Sequence, residues 1–141
     1  MSAKAFVDTN VLVYAHDRGA GQRHEAARTL IESLWRERTG VLSTQVLQEL
    51  YVNVRRKARR PLDIAEARQL VADYARWEVV VNGSESILEA IEIEGRYGLS
   101  FWDALIVQAA QSAGAESLYS EDFNPGQVYG DVRVVNPFAG P

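Results

Sequence analysis

The chain has 141 residues and a mass of 15.7 kDa, enough for a single domain over 1–141 that buries roughly two-thirds of its unfolded surface without staples. It contains no cysteine, which excludes disulfides, thiolate metal sites and a cysteine nucleophile and suits a reducing compartment. A net charge of −4, from 15 basic and 19 acidic residues, argues weakly against a nucleic-acid partner.

Lys4 to Val7 reads as a short apolar strand running into Asp8, and Val11 to Ala15 as a short apolar stretch that Asp8 can cap. Residues 22 to 38 follow a helical template, with Ala27, Leu30, Ile31, Leu34 and Trp35 on one face and Gly40 as the stop. Val41 to Ser43 is a second strand, after which Ser43 caps a helix carrying Leu47, Leu50, Tyr51 and Val54, with Glu49 beside that stripe. Pro61 separates it from a helix opened by the capping-box pair Asp63 and Glu66, with Ala67, Leu70, Val71 and Tyr74 inward. A strand over 78–81, a turn at Asn82-Gly83-Ser84 and a helix ending near Gly98 follow. The next helix, over 100–113, buries Leu105, Ile106, Ala109 and Ala110 and stops at Gly114. Strands over 117–120 and 131–135 complete the chain.

Alternating strands and helices imply right-handed crossovers and a mostly parallel sheet covered on both faces. Ligands then bind outside the carboxyl ends of the strands, where Asp8 and Asp122 both fall. No stretch approaches the ~18 apolar residues of a membrane span, and an acid interrupts the start before any apolar leader, so a soluble, cytoplasmic protein with no membrane partner is expected. His16 and His24, eight apart with no second pair, do not suggest zinc.

Four acids, Asp8, Glu49, Asp103 and Asp122, begin or end elements among apolar neighbours. Each has an ordinary explanation. Asp8 can cap a helix, Glu49 can be an exposed helical acid, Asp103 fits the capping box Ser100-Phe101-Trp102-Asp103, and Asp122 can be a turn acid with Glu121 as its rival. If they converge they repel, by roughly 4 kcal/mol for a pair about 4 Å apart at an effective dielectric near 20, and a divalent ion reverses that sign. The basic run Arg55, Arg56, Lys57, Arg59 and Arg60 suits either a helix C-terminus or phosphate binding, and both roles are compatible.

The segments Phe6-Val7-Asp8-Thr9-Asn10-Val11-Leu12-Val13-Tyr14, Ser43 to Leu50, Leu99 to Ile106 and Leu118-Tyr119-Ser120-Glu121-Asp122-Phe123 together resemble the PIN domain family. The small chain is similar to the VapC toxins of toxin-antitoxin pairs, and the match runs nearly its whole length. The resemblance implies a three-layer α/β/α fold with a mostly parallel central sheet of about five strands. It also implies metal-dependent cleavage of RNA. By position, Asp8 and Asp103 become the principal metal ligands, Glu49 and Asp122 complete the acidic site directly or through water, and Thr9, Asn10 and Ser120 orient ligands. An all-oxygen site without sulfur or clustered histidine favours Mg²⁺ or Mn²⁺, one or two ions, acidifying water for in-line attack on a phosphodiester. A cognate antitoxin covering the groove and a homodimer using apolar surface near Ile64 to Trp77 are further implications. Two alternatives remain: a phosphoaspartyl-type phosphohydrolase, which wants an acid where Asn10 stands, and a non-catalytic module whose acids dock a basic partner segment.

Overall fold

The structure is a computed structural model and describes residues 3–139. Its elements are β1 (Ala5–Val7), α1 (Thr9–His16), a single 3-10 turn (Arg18–Ala20), α2 (Gln22–Glu37), β2 (Gly40–Ser43), α3 (Thr44–Arg56), α4 (Ile64–Tyr74), β3 (Glu78–Val80), α5 (Ser84–Tyr97), α6 (Phe101–Ser112), β4 (Ser117–Tyr119), β5 (Val128–Tyr129) and β6 (Val132–Val135). The strands form one sheet in the order β3-β2-β1-β4-β6-β5, parallel throughout except where β5 joins β6.

That order explains where a site can form. From β1 the chain steps outward to β2 and β3, then returns across the sheet to place β4 on the other side of β1. With right-handed crossovers, α1 to α4 cover one face and α5 and α6 the other, giving three layers. Strand order therefore reverses between β1 and β4, and a crevice opens outside their carboxyl ends. Val7 pairs with Tyr119, so Asp8 and Ser120 leave the sheet side by side, and the Asp8 N–H donates to the Tyr119 carbonyl at 3.0 Å.

Both faces of the central strands are covered, so these strands read as continuous apolar runs rather than alternating ones. Phe6, Val7, Leu42 and Leu118 have no exposed surface. Each contributes roughly 1.5–3 kcal/mol by leaving water. Val46, outside the face read from the sequence, joins Leu50 and Val54 as the buried apolar side of α3. Asp63 and Glu66 form the expected reciprocal capping box, and Gly98 ends α5 at φ +68°.

Two expectations need correction. Gly40 does not end α2; Arg38 does, in the left-handed conformation at φ 58°. Gly40 is the first residue of β2, where an added Cβ would run into the Trp77 ring, so its smallness serves packing. The mostly parallel sheet expected from the sequence is present, with six strands, the two residues of β5 folding back on β6 through Gly130. At α6 only one half of the expected capping box forms: the Ser100 hydroxyl accepts from the Asp103 N–H at 3.2 Å, while the Asp103 carboxylate lines a cleft instead.

Candidate active site

Asp8 ends β1 and caps α1. Its extended backbone (φ −72°, ψ 155°) turns the chain out of the sheet, and its Oδ1 accepts from the Thr9 N–H at 2.8 Å. Its Oδ2 accepts from the Ser120 hydroxyl at 2.8 Å, a bond that the β1–β4 register makes possible. Ser120 is fully buried and also accepts from the Asp122 N–H at 3.0 Å, shaping the turn that follows β4. One hydroxyl thus ties two of the four acids together.

Two of the other carboxylates are held by neighbours of the same kind. Glu49, in the second turn of α3, accepts from the Thr9 hydroxyl at 2.7 Å and from Gln45 Nε2 at 3.4 Å. Asp122 accepts from Asn10 Nδ2 at 3.1 Å. Asp103 lies in the first turn of α6. Asp8, Glu49, Asp103 and Asp122 line one cleft of about 450 Å³, together with Thr9, Asn10, Gln45, Gln48, Asn53, Lys57 and Trp102. Glu121 points elsewhere: it accepts from the Tyr14 hydroxyl at 2.7 Å and from Arg23 Nε at 3.1 Å. That separation resolves the rivalry between Glu121 and Asp122 for a place in the cleft.

Burial pushes the Asp8 carboxyl up to about 6 from an ordinary 3.8; the charges of Asp122 and Glu49 add to the rise, and the Ser120 and Thr9 bonds oppose it. Burial also raises Asp103, opposed by the Ser100 hydroxyl and reinforced by Asp122 and Glu49. Repulsion among the carboxylates thus adds to burial in disfavouring charge on both acids. Among the described residues no three His, Asp or Glu side chains stand close enough to cage a metal by themselves. The donor set is hard oxygen with amides and hydroxyls behind it, which fits Mg²⁺ or Mn²⁺, ions that keep several waters and need only one or two carboxylates.

The basic run does not line a single cavity. Lys57 lines the acidic cleft, and Arg55 lies 5.7 Å from the centre of the Tyr51 ring. Arg59 and Arg60 use their backbone N–H groups on Asp17, at 2.8 and 3.2 Å, and the Arg60 side chain lines a separate cavity of about 1070 Å³ beside Arg18 and His24. The cause is local: α3 ends at Arg56, and Ala58 turns inward between the cations.

Gln45, Gln48 and Trp102 are cleft residues that sequence reading passed over. Gln45 is 6% exposed, and its Nε2 bridges Glu49 on α3 to the Trp102 carbonyl on α6 at 3.3 Å. The available signal was Ser43-Thr44-Gln45: a polar side chain one residue past the first turn-forming pair of a helix opening at a strand's carboxyl end. Such a side chain faces the crevice.

A parallel α/β sheet with acids gathered at its topological switch point defines a class of ligand-binding α/β domains. Residues 5–130 match the PIN domain family, and the chain belongs to it. No curated protein matches the chain in sequence. Several solved structures share the fold. A toxin-antitoxin complex from Klebsiella pneumoniae is similar at a TM-score of 0.69 and 19% identity, over 96% of this chain and 98% of that one. Mycobacterium tuberculosis VapC20, a toxin that cleaves the sarcin-ricin loop, is similar at 0.62 and 21%, over 84% and 90%. VapBC2 from Rickettsia felis, bound to a DNA fragment from its promoter, is similar at 0.61 and 18%, over 92% and 96%.

Proposed function

We propose that this chain is a metal-dependent endoribonuclease that cleaves RNA phosphodiester bonds, acting as the toxin of a toxin-antitoxin pair. The observation that carries the reading is the set of four carboxylates in one cleft, three of them, Asp8, Glu49 and Asp122, each accepting from a hydroxyl, amide or backbone N–H that holds it in place. Membership of the PIN domain family and the shared fold of toxins such as VapC20 support it.

In this reading Asp8 and Asp103 hold the divalent ion, and Glu49 and Asp122 complete its surroundings directly or through water. When bound, the ion supplies positive charge for the phosphodiester and acidifies water. Ser120 and the Thr9 N–H fix both Asp8 oxygens, so this carboxylate is preorganised. The Thr9 hydroxyl and Asn10 perform the same task for Glu49 and Asp122. Lys57 at the cleft contacts a flanking phosphate, an attraction that weakens with salt and carries little base preference.

The partner antitoxin supplies a segment that covers this cleft, and the toxin forms a homodimer. A phosphoaspartyl mechanism is disfavoured by Asn10, whose amide donates to Asp122 where a second acid would have to act.

The test is cleavage of RNA by purified protein with Mg²⁺. Asp8→Asn or Asp103→Asn should lower the rate by on the order of 10³-fold or more while the far-ultraviolet circular dichroism spectrum is unchanged. Wild-type cleavage rates in either variant would sink the metal-site assignment.

A further inference from the structure

Trp102 is 63% exposed although it is among the largest apolar side chains in the protein. It sits beside Asp103 in the first turn of α6 and lines the acidic cleft. Two contacts fix it. Its ring meets Phe101 edge to face, with centroids 5.0 Å apart and planes at 76°, and its carbonyl accepts from the nearly buried Gln45. Phe101 in turn packs on Ala90, Ala104 and Leu105 between α5 and α6. The indole is thus anchored from below, and most of its surface is left to solvent.

We propose that Trp102 is a stacking platform for one unpaired base of the RNA substrate, selecting which phosphodiester is presented to the carboxylates. This rests on the ribonuclease reading above and deepens it. Exposed aromatic faces stack on bases of any sequence, because every base has a π face. The cleft's volume of about 450 Å³ lies in the range of sites that enclose one small ligand. Amides from Gln48 and Asn53, with the ammonium of Lys57, also line the cleft, the Asn10 amide being donated to Asp122. A flat apolar surface beside hydrogen-bonding amides and one cation matches a base, its polar edge and its phosphate. An apolar protein partner would leave those amides unpaired at a cost. A base held inside a duplex presents neither face, so the platform takes single-stranded or looped RNA. Gln45 serves as a positioning residue, tying Trp102 to Glu49 across the cleft.

The experiment measures binding in an Asp8→Asn background, where the substrate survives, with fluorescently labelled single-stranded oligoribonucleotides and Mg²⁺. An abasic site is walked through the oligonucleotide. One position should weaken binding roughly 5- to 100-fold with Trp102 present, and that penalty should vanish when Trp102→Ala is added. Trp102→Phe should restore most of the affinity. The proposal is overturned if no abasic position loses its penalty in the Ala variant. It is equally overturned if Trp102→Ala acts only by changing the oligomeric state seen on size exclusion, which would make Trp102 a protein contact. Cleavage by the chain with Asp8 intact separates the two levels. RNA cut without any dependence on Trp102 refutes the platform alone, whereas Trp102-dependent binding without cleavage refutes the ribonuclease reading.

Discussion

Two aspartates stand at the two ends of α1, both nearly buried, and they are solved in opposite ways. Asp17, 4% exposed, accepts backbone N–H bonds from Gly19, Arg59 and Arg60 at 3.1, 2.8 and 3.2 Å. Asp8, 8% exposed, accepts one backbone N–H and one hydroxyl and faces the charges of Asp122 and Glu49. The first is a carboxylate whose negative charge is met by the backbone. The second carries a charge that the protein alone leaves under-compensated. A buried acid surrounded by donors fastens a fold, and a buried acid surrounded by other acids calls for a ligand.

Removing Asp17 tests the first half of the contrast and should have the largest effect on stability. Asp17→Ala orphans three N–H groups and detaches the loop after α3 from the end of α1, costing about 3–4 kcal/mol. The melting temperature should fall by on the order of 10 °C, while RNA cleavage per folded molecule stays within about twofold of the wild type. A loss of cleavage equal to that of Asp8→Asn, with the melting temperature unchanged, would erase the distinction between the two acids.

The opposite substitution at the other end of α1 should stabilise. Because burial raises the Asp8 carboxyl from 3.8 to about 6, the folded state binds this proton more tightly than the unfolded chain does. Its contribution is fully present below about pH 4 and lost as pH rises through about 6. A shift of this size corresponds to about 2–3 kcal/mol. In the presence of chelator, denaturant midpoints of Asp8→Asn and wild type should therefore coincide near pH 4, and the variant should be the more stable protein at pH 7. Equal stabilities at pH 7 would mean that the native protein already compensates the Asp8 charge.

The contrast also shows what a sequence discloses. Asp8, Glu49, Asp103 and Asp122 were legible because each sits in a local pattern of apolar residues and small polar neighbours, and strand alternation with helices placed the first and last at one sheet edge. Asp17 was not, since its partners at Arg59 and Arg60 lie 42 and 43 residues away and leave no local trace. The same holds for Gly40, whose reason for being glycine is the distant Trp77 ring. Two-residue β5 lacks the length to show any period. The basic run looked like one surface because sequence adjacency hides the end of α3 and the inward turn at Ala58.

Ser120 offers the finest probe of the acidic end. Ser120→Ala removes the hydroxyl that donates to Asp8 Oδ2 and accepts from the Asp122 N–H, at a site with no exposed surface. The lost bonds should cost about 1–2 kcal/mol of stability, less than Asp17→Ala because fewer backbone donors are orphaned. The Ser120 bond is also the largest influence opposing the burial that raises Asp8, so its loss should drive that carboxyl higher still. In the chelator series, the pH window over which stability declines should then extend upward relative to wild type. Rates of RNA cleavage should fall roughly tenfold as Asp8 loses one of its two fixed oxygens, a smaller loss than deleting the carboxylate itself. A Ser120→Ala protein whose pH window does not move would show that Asp8 is held by the Thr9 N–H alone, and that the pairing of β1 with β4 positions the acids without the hydroxyl that joins them.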